Sequence, residues 1–225
     1  MYEQYLIRLL APLSLYNLRA PHNGGELAAL GGELDSVSGL VELVERESLL
    51  ATAESEGLAK SVKDTGGVYL VPAFTGMGAP YWDMYARGVL VGITRGTRRE
   101  HIIRAAQESI AFQSAELILA MEKDTGMTLK SLKADGGASR DKFLMQFQAD
   151  IADKKVVTPE IRETTVLGAA YLAGLGAGVW KDRKELKKLW LADRKYSPAM
   201  EKEIREKRLE KWRAAVRRCL GWAKE

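Results

Sequence analysis

From Gly66 onward the apolar positions alternate between short extended runs and longer helical stripes. Gly67-Val68-Tyr69-Leu70-Val71-Pro72-Ala73-Phe74 is a nearly unbroken apolar run, the pattern of a strand buried on both faces. Gly88-Val89-Leu90-Val91-Gly92-Ile93 predicts a second strand, and the Gly-, Pro- and aromatic-rich stretch from Thr75 to Asp83 reads as a loop. Ile102, Ala105, Ala106, Ser109, Phe112 and Leu117 then recur at helical spacing, which predicts a helix from about Arg99 to Lys123 with Gly126 ending it. Leu132-Lys133-Ala134 predicts a short strand, followed by Gly136-Gly137 and a helix over 141–152 that carries Phe143, Leu144, Phe147 and Ile151. Ser139 or Asp141 can cap that helix. Lys155-Val156-Val157-Thr158 is a further strand, closed by Pro159. Thr164 or Thr165 can cap a helix from Val166 to about Leu175. That helix is crowded with Gly168, Ala169, Ala170, Ala173 and Gly174. Interior glycines cost a helix about 1 kcal/mol each relative to alanine, so close packing against a neighbour is expected to offset them.

After Gly178 the pattern predicts two helices. The last opens at Ser197-Pro198 and presents Met200, Ile204, Trp212, Val216 and Leu220 as one stripe. Strands alternating with helices predict an α/β domain with a largely parallel sheet. The strands at about 67–73, 88–93, 130–135 and 155–158 are expected in one sheet, with the helices packed on it. Residues 1–47 lack this regularity: 21–32 is a glycine-rich loop, and the helix formers from Gly39 to Val62 give only a patchy apolar face. They are left unassigned, with 48–180 as the domain and 181–225 as its helical tail.

Composition narrows the classes. No run of 18 apolar residues exists, so no membrane span is expected. One cysteine, Cys219, excludes an internal disulfide and fits a reducing, cytoplasmic compartment. With only His22 and His101 beside it, no metal-ligand cluster of zinc spacing forms. The net charge of +4 conceals a basic tail, with 16 Lys and Arg against 8 Asp and Glu from Lys181 to Glu225. A basic tail raises nucleic acid as a partner. Here acids interleave with the bases at helical spacing, as in Glu201 to Arg208, which is the pattern of a solvated helix face, and nucleic acid is not expected.

The candidate chemistry lies at Ala134-Asp135-Gly136-Gly137-Ala138-Ser139-Arg140-Asp141. Two glycines let backbone turn sharply and approach a ligand, and such a turn between a strand and a helix suits a nucleotide. Taken alone, the pattern fits an ordinary strand-to-helix connection better, since open α/β sheets contain many such turns.

Four blocks together carry a resemblance. They are Pro72 to Asp83; Gly88 to Gly96 with His101 to Ala105 and Glu108-Ser109; Asp135 to Ala138 with Phe143 to Asp150; and Thr165 to Gly174. In this order they resemble the carboxyl-terminal domain of glycerol kinases, members of a carbohydrate kinase family built from two actin-like ATPase domains. The resemblance implies an α/β, actin-like ATPase or ribonuclease H-like fold, here incomplete and with a helical carboxyl-terminal tail. It implies phosphorylation of glycerol to sn-glycerol 3-phosphate, with ATP and Mg²⁺ as cofactors. By position it makes Gly137 and Asp141 nucleotide contacts, and the glycine turn adds Gly136 to the expected nucleotide-binding residues. The family usually has asparagine where this chain has Asp141, and an apolar residue where it has Gln107. A carboxylate only accepts hydrogen bonds, so weaker ATP binding is the expected direction. No catalytic residue is assigned, because the family's base, its glycerol site and its Gly-Thr-Gly phosphate loop have no counterpart in these residues. Glycerol is therefore expected as a partner only if that part is supplied, and the chain alone is expected to be inactive. The alternatives are a non-catalytic nucleotide-binding or subunit-association module, with a homo-oligomer as one form of association.

Overall fold

The computed structural model describes residues 55–224. The unassigned segment 1–47, and all but the last part of the patchy helical stretch, lie outside the described residues. The elements are α1 (Ser55–Lys60), β1 (Tyr69–Val71), β2 (Val89–Val91), α2 (Arg99–Thr125), β3 (Ser131–Lys133), a 3₁₀ turn (Gly137–Arg140), α3 (Lys142–Ala152), β4 (Lys155–Pro159), α4 (Thr164–Gly176), α5 (Arg183–Leu189), β5 (Ala192–Tyr196) and α6 (Lys202–Cys219).

α2 is the axis of the structure. It ends where expected: Gly126 adopts the left-handed conformation and its N–H caps the Glu122 carbonyl. Its buried positions run round more than one face, because α1, α3 and β1 all pack on it. Phe112 is the centre of the core. It stacks on Trp212 of α6 at 5.1 Å, meets Phe147 of α3 edge-on at 5.5 Å and touches Tyr69 of β1 at 5.9 Å.

Two buried carboxylates on α2 fasten α6 to this core. Glu108 accepts from Arg104 at 2.9 Å and from Arg208 at 3.2 Å. Glu116 accepts from Trp212 Nε1 at 2.9 Å, Arg213 Nε at 2.9 Å and the Tyr81 hydroxyl at 2.5 Å. Burial, then the Glu116 carboxylate, push the Tyr81 phenol well above its ordinary range. Part of the basic tail therefore ties the domain together and is not simply a solvated face.

Several expectations need correction. The four predicted strands do not share one sheet. β1 and β2 form their own antiparallel pair, whereas β3, β4 and β5 form a second sheet in that order. Only β3 and β4 are parallel; β5 runs antiparallel to β4. The tail is not wholly helical, because β5 separates its two helices. α6 begins at Lys202, after the predicted Ser197-Pro198 start, and Ile204 on the predicted stripe is exposed while Leu209 and Cys219 are buried. Among the described residues α4 packs closely on no other element, since Gly174 is its one buried residue. The group that presses on Gly174 is Trp180 from the turn that follows: a Cβ there would lie 2.1 Å from its ring.

Candidate functional site

The site is built on the parallel pair. Leu132 anchors β3 in the core, and β3 pairs with β4 in register Leu132 to Val156. The chain leaves both strands at the same end, and the two loops are joined there. Ala134 N–H donates to the Val157 carbonyl at 3.0 Å, and Gly136 N–H donates to the Arg162 carbonyl at 2.9 Å. In open α/β sheets ligands bind in the crevice beyond the carboxyl ends of parallel strands, where this turn lies.

Gly136 has φ 80° and ψ −177°, a conformation that a side chain opposes. Nothing lies within 4 Å of the place where its Cβ would be, so the glycine serves the turn and leaves open space beside it. Its carbonyl accepts from Ser139 N at 3.2 Å and from Ser139 Oγ at 2.7 Å, which folds Gly137–Arg140 into the 3₁₀ turn. Ser139 is buried by this role, while Gly137 and Ala138 are exposed. The leading N–H groups of such a turn have no acceptor within it.

Asp141 is the cap of α3. Its Oδ1 accepts from Leu144 N at 2.9 Å. Its Oδ2 accepts from Gln107 Nε2 of α2 at 2.6 Å. The two positions singled out as departures from the resembled family thus touch each other. Lys142 N–H, also in the first turn of α3, donates to Glu56 Oε2 of α1 at 3.3 Å. Burial raises the Asp141 pKa; the Leu144 N–H works against this and the Glu56 charge adds to it. Burial opposes the Glu56 charge, but Lys60 and the Lys142 N–H outweigh it and hold that carboxyl below its ordinary range. The N-terminus of α3 is consequently neutralised by two carboxylates of the protein. The first-turn N–H groups of Lys142 and Leu144 are thus taken by carboxylates of the protein.

The structure brings Gly136, Gly137 and Asp141 to one end of the sheet, within a single turn and its following cap. Sequence reasoning missed the residues that hold these three: Gln107 as the Asp141 partner, Glu56 beside α3, and Arg162, which holds Gly136 by its carbonyl and pairs with Asp193 of β5. The one available signal was a polar Gln107 on a helix face that otherwise buries small and apolar residues. Among the described residues, no group of three or more His, Cys, Asp or Glu could hold a metal ion. A divalent cation carried on nucleotide phosphates needs no such protein cage. No described helix is long and apolar enough to cross a membrane.

Residues 25–177 match the C-terminal domain of the FGGY family of carbohydrate kinases. The chain belongs to that family, and its fold is the actin-like ATPase fold of these kinases. The match begins at residue 25, ahead of residue 48 where the domain was expected to start. Within the family the chain is similar to the carboxyl-terminal part of glycerol kinases. It is 54% identical to glycerol kinase from Brachyspira hyodysenteriae over 204 residues, 90% of this chain and 41% of that protein. It is 59% identical to glycerol kinase from Caldanaerobacter subterraneus subsp. tengcongensis over 172 residues, 76% of this chain and 35% of that protein. The crystal structure of Plasmodium falciparum glycerol kinase with ADP superposes with a TM-score of 0.71 at 36% identity, covering 81% of this chain and 37% of that one. Xylulose kinase from Rhodospirillum rubrum shares the fold at 24% identity and a TM-score of 0.63. The chain therefore spans about two fifths of the length of the glycerol kinases it matches.

Proposed function

We propose that this chain is the nucleotide-side domain of a glycerol kinase, holding ATP with its Mg²⁺ at Gly136, Gly137 and Asp141. The observation that carries the reading is the identity of 52–59% to glycerol kinases over most of the chain. The exposed glycine turn beyond the joined ends of β3 and β4 supports it. Exposed backbone at Gly137 and Ala138 supplies donors toward a phosphate or the nucleoside, and Gly136 leaves the approach open. Asp141 supplies an acceptor at the rim. The bound nucleotide supplies the phosphoryl group and its metal. This domain orients it, while the acceptor alcohol and the base that takes its proton belong to material outside these residues. Phosphoryl transfer depends on holding both reactants in line, so half of the arrangement binds without turning over. The single buried cysteine fits a cytoplasmic protein.

Purified residues 1–225 are expected to bind MgATP and to leave glycerol unphosphorylated. Isothermal titration with MgATP and a coupled assay for ADP release test both halves. No heat of MgATP binding overturns the nucleotide role. Turnover that scales with protein and stops without Mg²⁺ overturns the division of labour.

A further inference from the structure

Gln107 lies on the core-facing side of α2 with 8% of its surface exposed. A buried amide is unfavourable unless its polar ends are bonded. Among the described residues only one end is: Nε2 donates to Asp141 Oδ2 at 2.6 Å, while Oε1 has no partner. The side chain is therefore poorly suited to its site as a packing residue, and its one polar contact reaches the glycine turn. The other Asp141 oxygen is held by Leu144 N–H at 2.9 Å, so α2 and α3 grip the carboxylate from two directions. The charged groups nearby are otherwise engaged. Lys60 of α1 pairs with Glu56, and Glu56 accepts from Lys142 N–H. Arg104, one turn before Gln107, pairs with Glu108 at 2.9 Å and lies over the Phe143 ring at 4.7 Å. Gln107 is thus the side chain that reaches the Asp141 carboxylate from α2.

We propose that Gln107 is a positioning residue of the nucleotide site: its amide turns Asp141 inward and so fixes which edge of the carboxylate, and how much of its charge, a bound adenine nucleotide meets. The inference rests on the nucleotide reading above. A carboxylate accepts hydrogen bonds and repels phosphate. Held by Gln107, it offers an acceptor edge to a hydroxyl or amine of the nucleoside while its charge is drawn toward α2. Released, it swings toward open space, where the triphosphate repels it.

The test is a cycle of four proteins: the unchanged chain, Gln107→Met, Asp141→Ser and the double variant. Methionine keeps the length of glutamine without its amide, and serine keeps the helix cap without reaching α2. Gln107→Leu serves if Gln107→Met fails to fold, which circular dichroism shows. Two readings are taken, the Asp141 carboxyl ¹³C titration and the MgATP dissociation constant. Loss of the Gln107 donor is expected to move the Asp141 midpoint upward and to weaken MgATP severalfold. The same loss in the Asp141→Ser background is expected to leave MgATP binding unchanged, because no carboxylate remains to be positioned. An unmoved midpoint overturns the inference. So does an equal weakening with and without Asp141, which marks Gln107 as packing alone. A moved midpoint with unchanged MgATP binding overturns it too, by removing Asp141 from a site that still binds. Absence of MgATP binding to the unchanged chain overturns the parent reading, and the inference falls with it.

Discussion

At Asp141 the wish to cap a helix and the cost of burying a charge meet in one side chain. Asparagine caps helices as well as aspartate does. In Asp141→Asn the Oδ1 bond from Leu144 is retained, and the new amide nitrogen faces Gln107. Gln107 can then turn its amide so that Oε1 accepts from it, which keeps one hydrogen bond between the two side chains and exchanges an orphaned oxygen for an orphaned N–H, so the gain comes from the lost buried charge. The neighbouring Glu56 charge no longer opposes a second carboxylate. Asp141→Asn is therefore expected to stabilise the fold by about 1 kcal/mol near neutral pH, read as a raised denaturant midpoint. The pH dependence has a definite sign. Burial raises the folded-state pKa of Asp141, so its ionised form weighs against folding above that pKa, and the penalty vanishes as pH falls below the unfolded value. The advantage of Asn is expected to be full above the raised folded-state value, to shrink as pH falls toward about 4, the ordinary aspartate range, and to be gone below it. A difference between the two proteins that stays constant across that span counts against a strained carboxylate.

Elements were legible where local rules act alone. α2 ends at a glycine and α3 begins at an aspartate that the sequence marks, and their apolar spacing predicts both lengths. Strand pairing was not legible, because extended runs report local backbone and not the partner. The apolar run at 67–74 and the second at 88–93 are satisfied by each other. β5 reads as charged, Ala-Asp-Arg-Lys-Tyr, and lies on the edge of its sheet with little burial, so no alternating pattern announces it. The Gln107–Asp141 bond joins residues far apart in the chain and leaves no mark in spacing. The β1–β2 pair makes a sharper prediction. Gly92 has φ 86°, and a Cβ on it would lie 2.0 Å from the Gly67 carbonyl oxygen. Backbone cannot yield as a side-chain tip can, so Gly92→Ala is expected to lose about 3 kcal/mol or more in urea unfolding. Glu108→Gln tests the other fastening. It removes a buried charge that is 2% exposed and leaves Arg104 and Arg208 without their carboxylate, for an expected loss of about 3 kcal/mol. Unchanged stability in Glu108→Gln is the result that denies α6 this tie.

The whole molecule has one face that its own described residues do not cover. α4 runs for 13 residues with a single buried position, and its Val166 and Leu172 are 69% and 72% exposed. Ile161, Leu189 and Leu191 are exposed as well, on the segments before and after it. Exposed apolar surface of this kind usually marks a contact with another chain or domain. β3 adds a second invitation, since among the described residues it pairs only with β4 and its outer edge is open to another strand. Residues 1–225 are expected to sediment as a concentration-dependent mixture of monomer and larger species. Val166→Glu with Leu172→Glu should shift that mixture toward monomer, because each places a charge where burial would be required. The helix itself should survive both changes, since neither side chain packs on the core and glutamate is a good helix former. Far-ultraviolet circular dichroism checks that point on the same samples. A chain that remains monomeric at high concentration would show that α4 is covered by residues of the same molecule. A double variant that associates as strongly as the original would shift the contact to the β3 edge.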